Sequence, residues 1–190
     1  MSLLAKWIAV SRLPKAEIFR SLRLVDPGRS TAFQLASPAY LDLEDDWLAV
    51  VGRFPPPETM EALSEGGWAL ACIVDQVSRF SLAQGYQYGQ PCWSVIYEEG
   101  HVPDLEALGS PPESFTTVVD EMMEEAANAR RAGRASDAPF RIPIELAGRE
   151  CGFWPDASRM GAPTMAQLEE RRPIGSFRRR LAAAAGLFGR

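Results

Sequence analysis

Cysteine and histidine are scarce in this chain. Among its 190 residues there are three cysteines and one histidine. Cys72, Cys92 and Cys151 are far apart and odd in number, which argues against a disulfide framework and favours a reducing, cytoplasmic location. His101 has no cysteine or second histidine near it in the sequence, so the spacing of a zinc site is missing. The sequence therefore predicts neither a metal site nor a cofactor.

Long apolar segments and familiar catalytic motifs are missing as well. No apolar run approaches the roughly 20 residues that a membrane-spanning helix needs. The first residues lack the basic and then apolar pattern of a signal peptide. There is no phosphate-binding glycine loop, no dinucleotide fingerprint and no nucleophile elbow. We therefore expect no membrane partner, and the enzyme classes that these motifs identify are excluded.

The composition is that of an ordinary globular domain, with 46% hydrophobic and 24% charged residues. Hydrophobic periodicity and turn signals predict a strand, a helix, several strands and then helices. The predicted strands are 6–11, 31–36, 47–51, 68–77, 80–83 and 92–97; the predicted helices are 15–25, 58–65, 111–132 and 144–151, with one or two helical turns at 165–171. This order predicts an α+β fold in which a mixed or mainly antiparallel sheet carries helices packed on one face. Residues 1–175 are predicted to form this single domain, and residues 176–190 a basic amphipathic C-terminal helix or tail.

Local sequence signals mark where the two predicted helices in the C-terminal half of the chain begin and end. Ser110 and Glu113 have the spacing of a capping box at the start of the long helix, and Gly133 suits its end. Pro143 is predicted to open the following helix, because proline is favoured in the first helical turn.

Charge is strongly segregated along the chain, although the net charge is −5. Residues 1–39 carry +4, residues 40–125 carry −15 and residues 126–190 carry +6. A segment this acidic repels itself unless positive groups lie near it. Either the basic ends fold back over the middle segment, or the segment forms an acidic surface that attracts a basic partner. The same charge disfavours nucleic acid as a partner.

The candidate contact residues are clustered acids and two tyrosines. One acidic cluster consists of Asp42, Glu44, Asp45 and Asp46, and a second consists of Glu98 and Glu99. Tyr86 and Tyr88 lie in the glycine-bounded segment 85–91, which is predicted to be a long, exposed hairpin turn. A tyrosine in such a turn offers rigid contact area to a partner. The alternative is that both rings simply cover the sheet.

A small cytoplasmic enzyme is a second class of function open to this sequence. Cys72, Cys92 or Cys151 could meet His101 in space, or carboxylates alone could catalyse, since paired acids leave no fixed spacing. This hypothesis predicts a deep pocket that contains Cys72, Cys92 or His101 with shifted titration. A non-catalytic adaptor is a third class, which the sequence separates poorly from a protein that captures one basic partner.

Two stretches of the chain carry a family resemblance. One runs from Gly67 through residues 72–75 to Gly89 and then through residues 93–100. The other covers residues 142–147 and continues with Gly152-Phe153 and Pro155-Asp156. Together they resemble small bacterial α+β proteins of the toxin-immunity type, found beside secreted toxins. The resemblance covers about half the chain, leaves out the proline run at 55–57 and the basic C-terminus, and carries no catalytic motif.

We therefore predict a bacterial immunity protein without catalytic activity. It is expected to bind and neutralise one cognate secreted toxin domain, whose basic cleft would meet the acidic middle segment. The resemblance implies this role, and the charge pattern is consistent with it.

Overall fold

The computed structural model describes residues 4–171. Along them run four helices: α1 (Lys15–Ser21), α2 (Pro57–Ser64), α3 (Ser114–Arg131) and α4 (Ala138–Cys151). The strands are β1 (Leu4–Ser11), β2 (Leu24–Val25), β3 (Ser30–Thr31), β4 (Ala39–Asp42), β5 (Trp47–Val51), β6 (Trp68–Asp75), β7 (Phe80–Gln87), β8 (Gln90–Glu98), β9 (Leu105–Gly109), β10 (Met165–Gln167) and β11 (Glu169–Glu170). The predicted C-terminal helix or tail at 176–190 lies outside the described residues.

Nine of these strands form one sheet, in the order β3-β10-β4-β5-β1-β6-β7-β8-β9. Every neighbouring pair in it is antiparallel. The strands β11 and β2 form a separate antiparallel pair. The predicted α+β class and the mainly antiparallel sheet are therefore confirmed.

The helices cover both faces of the sheet, so the prediction of a single covered face is wrong. On β1, Trp7 and Ala9 belong to the core that α3 and α4 close. Ile8 and Val10 belong to a second core, which α1 and α2 close on the opposite face. All four side chains are at most 1% exposed. Because β1 is apolar on both sides, each face of the central sheet needs a helical layer.

The α4 helix begins earlier than the predicted start at 144, which Pro143 was expected to open. It starts at Ala138 and continues through Pro143, which lies inside it. An internal proline costs roughly 3 kcal/mol. Phe140, Ile142 and Leu146 are each at most 2% exposed in the core between α4 and the sheet. Burial of these large side chains holds the helix together across the proline.

The α3 helix ends as predicted but does not begin as predicted. At its end, the N–H of Gly133 donates to Arg130 and the N–H of Arg134 donates to Ala129 at 2.9 Å, a Schellman motif. At its start there is no side-chain cap. Ser110 instead donates its N–H to the carbonyl of Cys92 at 3.0 Å. The unpredicted strand β9 holds this residue on the sheet, so the capping box does not form.

Two further segments are strands where helix was predicted. Residues 24–25 pair with residues 169–170 as β2 and β11, after α1 has ended and Arg23 has adopted a φ of 56°. Met165 and Ala166 pair with β3 rather than forming a helical turn. In both places, pairing between distant parts of the chain overrides local propensity.

Candidate functional site

Three turns lie side by side at one end of the sheet. The register places Ser11 opposite Trp47, Val10 opposite Ala69 and Trp68 opposite Gln87. This end of the sheet therefore carries the β4–β5 turn, the junction between α2 and β6, and the β7–β8 turn. We call it the acidic rim and define it by Glu44, Asp45, Asp46, Glu61, Glu65 and Tyr88. The two outer turns are four strand spacings apart, which is about 19 Å.

The β4–β5 turn carries the first predicted acidic cluster. The N–H of Trp47 donates to the carbonyl of Glu44 at 3.1 Å and closes the turn. Asp45 and Asp46 are its central residues, with φ of 53° and 60°. Positive φ at both central positions is the type I′ pattern, which matches strand twist and favours asparagine, aspartate and glycine. All three acids are exposed, and within residues 4–171 none of them forms an ion pair.

Asp42, the fourth acid of that cluster, is neutralised. Its carboxylate accepts from Lys15 Nζ at 2.5 Å. Lys15 also lies 5.1 Å from the centre of the Tyr40 ring. Tyr40 donates its hydroxyl to Asp26 at 2.8 Å, and burial together with this bond raises the pKa of Tyr40 to about 12. Asp42 is thus part of a local network. The carboxylates of this cluster that form no ion pair among the described residues are the three on the turn, Glu44, Asp45 and Asp46.

The β7–β8 turn is tight, so the prediction of a long turn at 85–91 is wrong. The strands extend to Gln87 and Gln90, which leaves Tyr88 and Gly89 as the turn. Tyr86 lies within β7 and is 4% exposed, so it is a core residue and not a surface contact. Its ring covers the sheet on the side of α2. Tyr88 is 67% exposed, as predicted.

Tyr88 is held in an unusual backbone conformation. Its φ is 50°, and that of Gly89 is 76°. A left-handed φ suits glycine or asparagine and costs a tyrosine roughly 1–2 kcal/mol. Tyr88 donates its N–H to Gly67, and Gly89 donates its N–H to Ser64 Oγ at 3.1 Å. These bonds hold the backbone of the turn against the end of α2. The exposed ring of Tyr88 is therefore attached to a rigid part of the backbone.

The end of α2 adds carboxylates that the sequence analysis did not single out. Glu65 is exposed and Glu61 is half-buried. A Cβ placed on Gly89 would lie 3.6 Å from Cγ of Glu65, so this acid lies beside the Tyr88 turn. Arg12 is an exposed basic residue at the same edge, with a φ of 60°. The helical spacing of residues 61 and 65 could have flagged this pair, but only the tertiary fold places it next to Tyr88.

The second predicted acidic cluster lies at the opposite end of the sheet. Glu98 pairs with Phe80 at the end of β8, and Phe80 pairs with Asp75 at the end of β6. Glu99 forms an ion pair with Arg79 at 3.5 Å. Glu98 and Glu99 therefore cannot share one continuous contact surface with the acidic rim, and the predicted set of contact residues divides into two.

The cysteines and the histidine are not assembled into a reactive pair. Cys72 and Cys151 are at most 3% exposed. Burial raises the pKa of both thiols, that of Cys151 to about 12, so both are protonated at neutral pH. Cys92 lies near the start of β8, whereas His101 follows its other end, about 20 Å further along the strand. The described residues contain no group of three or more His, Cys, Asp or Glu side chains that could hold a metal ion.

A cleft that the sequence did not predict lies between α4 and the loop after it. It has a volume of about 490 Å³ and contains neither a cysteine nor His101. Its apolar wall comes from Val74, Phe140, Ile144, Trp154 and Pro155. No local pattern marks it, because its walls come from three separate parts of the chain.

Close packing against α4 fixes the position of Trp154 in this cleft. A Cβ on Gly148 would lie 2.3 Å from Nε1 of the indole, so no larger residue fits there. The guanidinium of Arg159 lies 4.4 Å from the centre of the indole ring and donates to Glu145 at 2.5 Å. Glu145 is 8% exposed, so this arginine compensates a buried carboxylate.

In the part of the chain that the structure describes, no helix has the length and apolar character needed to cross a membrane. Comparison of the chain with protein-family models, with curated proteins and with solved structures finds no match.

Proposed function

We propose that the protein is a cytoplasmic bacterial immunity protein without catalytic activity, and that its acidic rim binds the basic cleft of one cognate toxin domain. The observation that carries this proposal is the set of exposed turn residues at positive φ. Tyr88 occupies a position where asparagine or glycine would fold at lower cost, whereas Asp45 and Asp46 place two carboxylates on a turn whose left-handed backbone suits aspartate. Backbone strain of the kind found at Tyr88 is enriched at binding and active sites, which supports a contact role for its ring.

The chemistry of the rim suits a basic partner. The carboxylates of Glu44, Asp45, Asp46 and Glu65 are exposed. All 25 acidic residues lie within residues 4–171, whereas five of the 20 basic residues lie beyond them. Exposed like charges raise the association rate with a partner of opposite charge and reject wrong partners. Tyr88 adds a rigid aromatic contact of the kind that contributes much of the affinity at protein interfaces. The resemblance to immunity proteins points to the same class of partner.

Because the backbone of these turns suits other residues, substitutions can remove the contact side chains without destabilising the fold. A loss of binding in such variants cannot be explained by misfolding. Asp45→Asn with Asp46→Gly removes two carboxylates and leaves the residue pair that type I′ turns favour. Tyr88→Asn removes the ring and creates the same favourable pair with Gly89. We expect both variants to fold at least as stably as the parent.

The experiment is affinity capture of the tagged protein from its native bacterium at low and at moderate salt. We expect one stoichiometric basic protein, retained by the parent and lost with either variant. Capture by the parent should also weaken from low to moderate salt, because salt screens the attraction between the acidic rim and a basic partner.

The matched control is Glu98→Gln with Asp104→Asn, which removes two charges at the opposite end of the sheet. We expect this control to retain the partner. Equal capture by the parent and both rim variants, or loss only with the control, would contradict the assignment of the surface. A purified partner should then lose its toxicity when the parent protein is added, and persistent toxicity would contradict the immunity role itself.

A further inference from the structure

Another cavity lies between the end of α1 and the segment that leads into α2. Its volume of about 450 Å³ is within the range of about 300–1,000 Å³ that is usual for small-molecule sites. Ser21 and Arg23 line it from the end of α1, and Arg53 and Thr59 line it from the other segment. The cavity follows the end of β5 that lies away from Trp47, and hence away from the acidic rim.

The polar side chains that line this cavity are two guanidinium groups and two hydroxyl groups, all of which can donate hydrogen bonds. In the part of the chain that the structure describes, no acidic residue lines the cavity, although the whole chain has a net charge of −5. Arginine forks are the groups best matched to phosphate oxygens, and hydroxyls donate to the same acceptors. The lining therefore favours an anion.

Arg53 keeps one accessible nitrogen for a ligand. Its Nη2 donates to a carboxylate oxygen of Glu170 at 2.5 Å, and its Nε is buried. The third nitrogen, Nη1, is accessible and forms no hydrogen bond within residues 4–171. The ion pair thus holds the guanidinium in place and leaves Nη1 as a donor.

Arg23 adds a positive charge that no carboxylate compensates. Its exposed side chain forms neither an ion pair nor a hydrogen bond among the described residues. The hydroxyls of Ser21 and Thr59 have no partner there either. Because these donors come from two separate segments, they suit an anion whose acceptors point in several directions. A phosphate monoester has three such oxygens, whereas a carboxylate has two in one plane.

The rest of the lining is apolar. It consists of Leu22, Phe54, Pro55 and Pro56. A phenylalanine ring beside two proline rings offers an apolar surface on which a ring of a ligand can pack. The cavity therefore combines an anion-binding end with an apolar wall, which is the usual composition of a small-molecule site.

We infer that this cavity binds a small phosphate monoester whose organic part is an apolar ring. The phosphate accepts from Nη1 of Arg53, from the guanidinium of Arg23 and from the hydroxyl of Thr59. The ring packs on Phe54 and Pro55. Because the cavity lies away from the acidic rim, this inference does not depend on the proposed toxin contact.

Calorimetric titration of the full chain tests the class of ligand. The probes are phenyl phosphate, inorganic phosphate, which lacks the ring, and benzoate, which has a carboxylate in place of the phosphate. We expect phenyl phosphate to bind with a millimolar or lower Kd and each of the other probes to bind at least about fivefold more weakly. No binding of phenyl phosphate at millimolar concentration, or equal binding of either other probe, would overturn the inference.

The left-handed backbone of Arg23 provides a variant that is expected to fold normally. Its φ is 56°, and the residue at this position after the end of a helix is usually glycine. Arg23→Gly therefore removes the guanidinium and should leave the protein at least as stable as the parent. We expect it to bind phenyl phosphate at least about fivefold more weakly, because a charged hydrogen bond is lost.

Arg12→Gly is the matched control. It removes the same charge at a φ of 60°, but at the end of the sheet that carries the acidic rim. A general electrostatic effect on an anion would be similar in the two variants, whereas a contact in the cavity affects only Arg23→Gly. We expect the control to leave the Kd unchanged. Unchanged binding by Arg23→Gly, or an equal loss in both variants, with circular dichroism equal to that of the parent, would overturn the proposed site.

Discussion

Ser64 Oγ accepts the backbone N–H of Gly89 at 3.1 Å, and its own hydroxyl donates to the carbonyl of Glu61 at 2.9 Å. A buried hydroxyl thus joins the end of α2 to the β7–β8 turn. The hydrogen bond holds the backbone of the Tyr88 turn beside the end of α2, so the shape of the acidic rim depends on a residue that is not on the surface.

Ser64→Ala removes this acceptor. We expect the free energy of unfolding to fall by about 1 kcal/mol, because the N–H of Gly89 loses its partner at a position that water reaches poorly. Urea unfolding followed by circular dichroism measures the change. Ser30→Ala, at an exposed position on β3, is the control and should have no effect beyond error. Equal midpoints for the two variants would show that the bond contributes nothing to stability.

Tyr88→Asn should make the protein more stable, although it removes an aromatic side chain. The left-handed φ of 50° strains tyrosine, and asparagine followed by glycine is favoured in this turn. We expect a gain of about 1 kcal/mol in the free energy of unfolding. Tyr88→Phe keeps the strain and should unfold at the same denaturant concentration as the parent. A lower midpoint for Tyr88→Asn would mean that the ring contributes to folding and that the strain has no functional reason.

Gly148→Ala should disrupt the cleft from inside the helix. The added methyl group would lie 2.3 Å from the indole nitrogen of Trp154, so the ring must move. We expect a loss of about 2 kcal/mol in stability, in the range of overpacked cores, and a shift in tryptophan emission. The same substitution made in a Trp154→Ala background should cost much less. A double-mutant cycle without coupling would contradict the close packing of these two residues.

The thiols should differ sharply in reactivity. Cys92 is half-buried, whereas Cys72 and Cys151 are buried, with pKa values that burial raises. In the native protein at neutral pH we expect a disulfide reagent to modify Cys92 within minutes, and Cys72 and Cys151 at the rate of unfolding. Adding urea should make all three react quickly. The variants Cys72→Ala and Cys151→Ala each keep Cys92 and one buried cysteine. Fast labelling of both remaining thiols in the native state would show that the second thiol is accessible and would support a cysteine-based site.

The strands and helices with strong local patterns were predictable. The strand at 47–51 was predicted at its exact bounds, because a run of apolar and β-branched residues there follows a turn of acids. The end of α3 was predictable from Gly133, since few residues accept the conformation that closes a helix. The strand β9 was not predictable, because Leu105–Gly109 has weak strand propensity and is held by its pairing with β8.

The candidate surfaces were less predictable than the fold. The exposed acids of the β4–β5 turn were identified by composition alone, because charge clusters are local. Tyr86 was wrongly assigned to an exposed turn. A two-residue turn usually has asparagine before glycine, so the sequence did not mark Tyr88 and Gly89 as a tight turn that leaves Tyr86 within the strand. The cleft required Val74, Phe140 and Trp154 to meet, and contacts between such distant residues leave no spacing in the sequence.

The position of β10 between β3 and β4 has a consequence for folding kinetics. These two strands follow one another in the chain but are held together by Ala166, which pairs with Ser30 on one side and with Tyr40 on the other. This edge of the sheet therefore depends on contacts across most of the chain, and such contacts form late and slowly. The hairpin of β7 and β8 closes across two residues, and the hydrogen bonds that hold its turn come from Ser64 and Gly67, at most 25 residues away in the chain. Because β3 and β10 are only two and three residues long, the β3-β10-β4 edge should also open at lower free energy than the hairpin that presents Tyr88, which amide hydrogen exchange would reveal as two cooperative units.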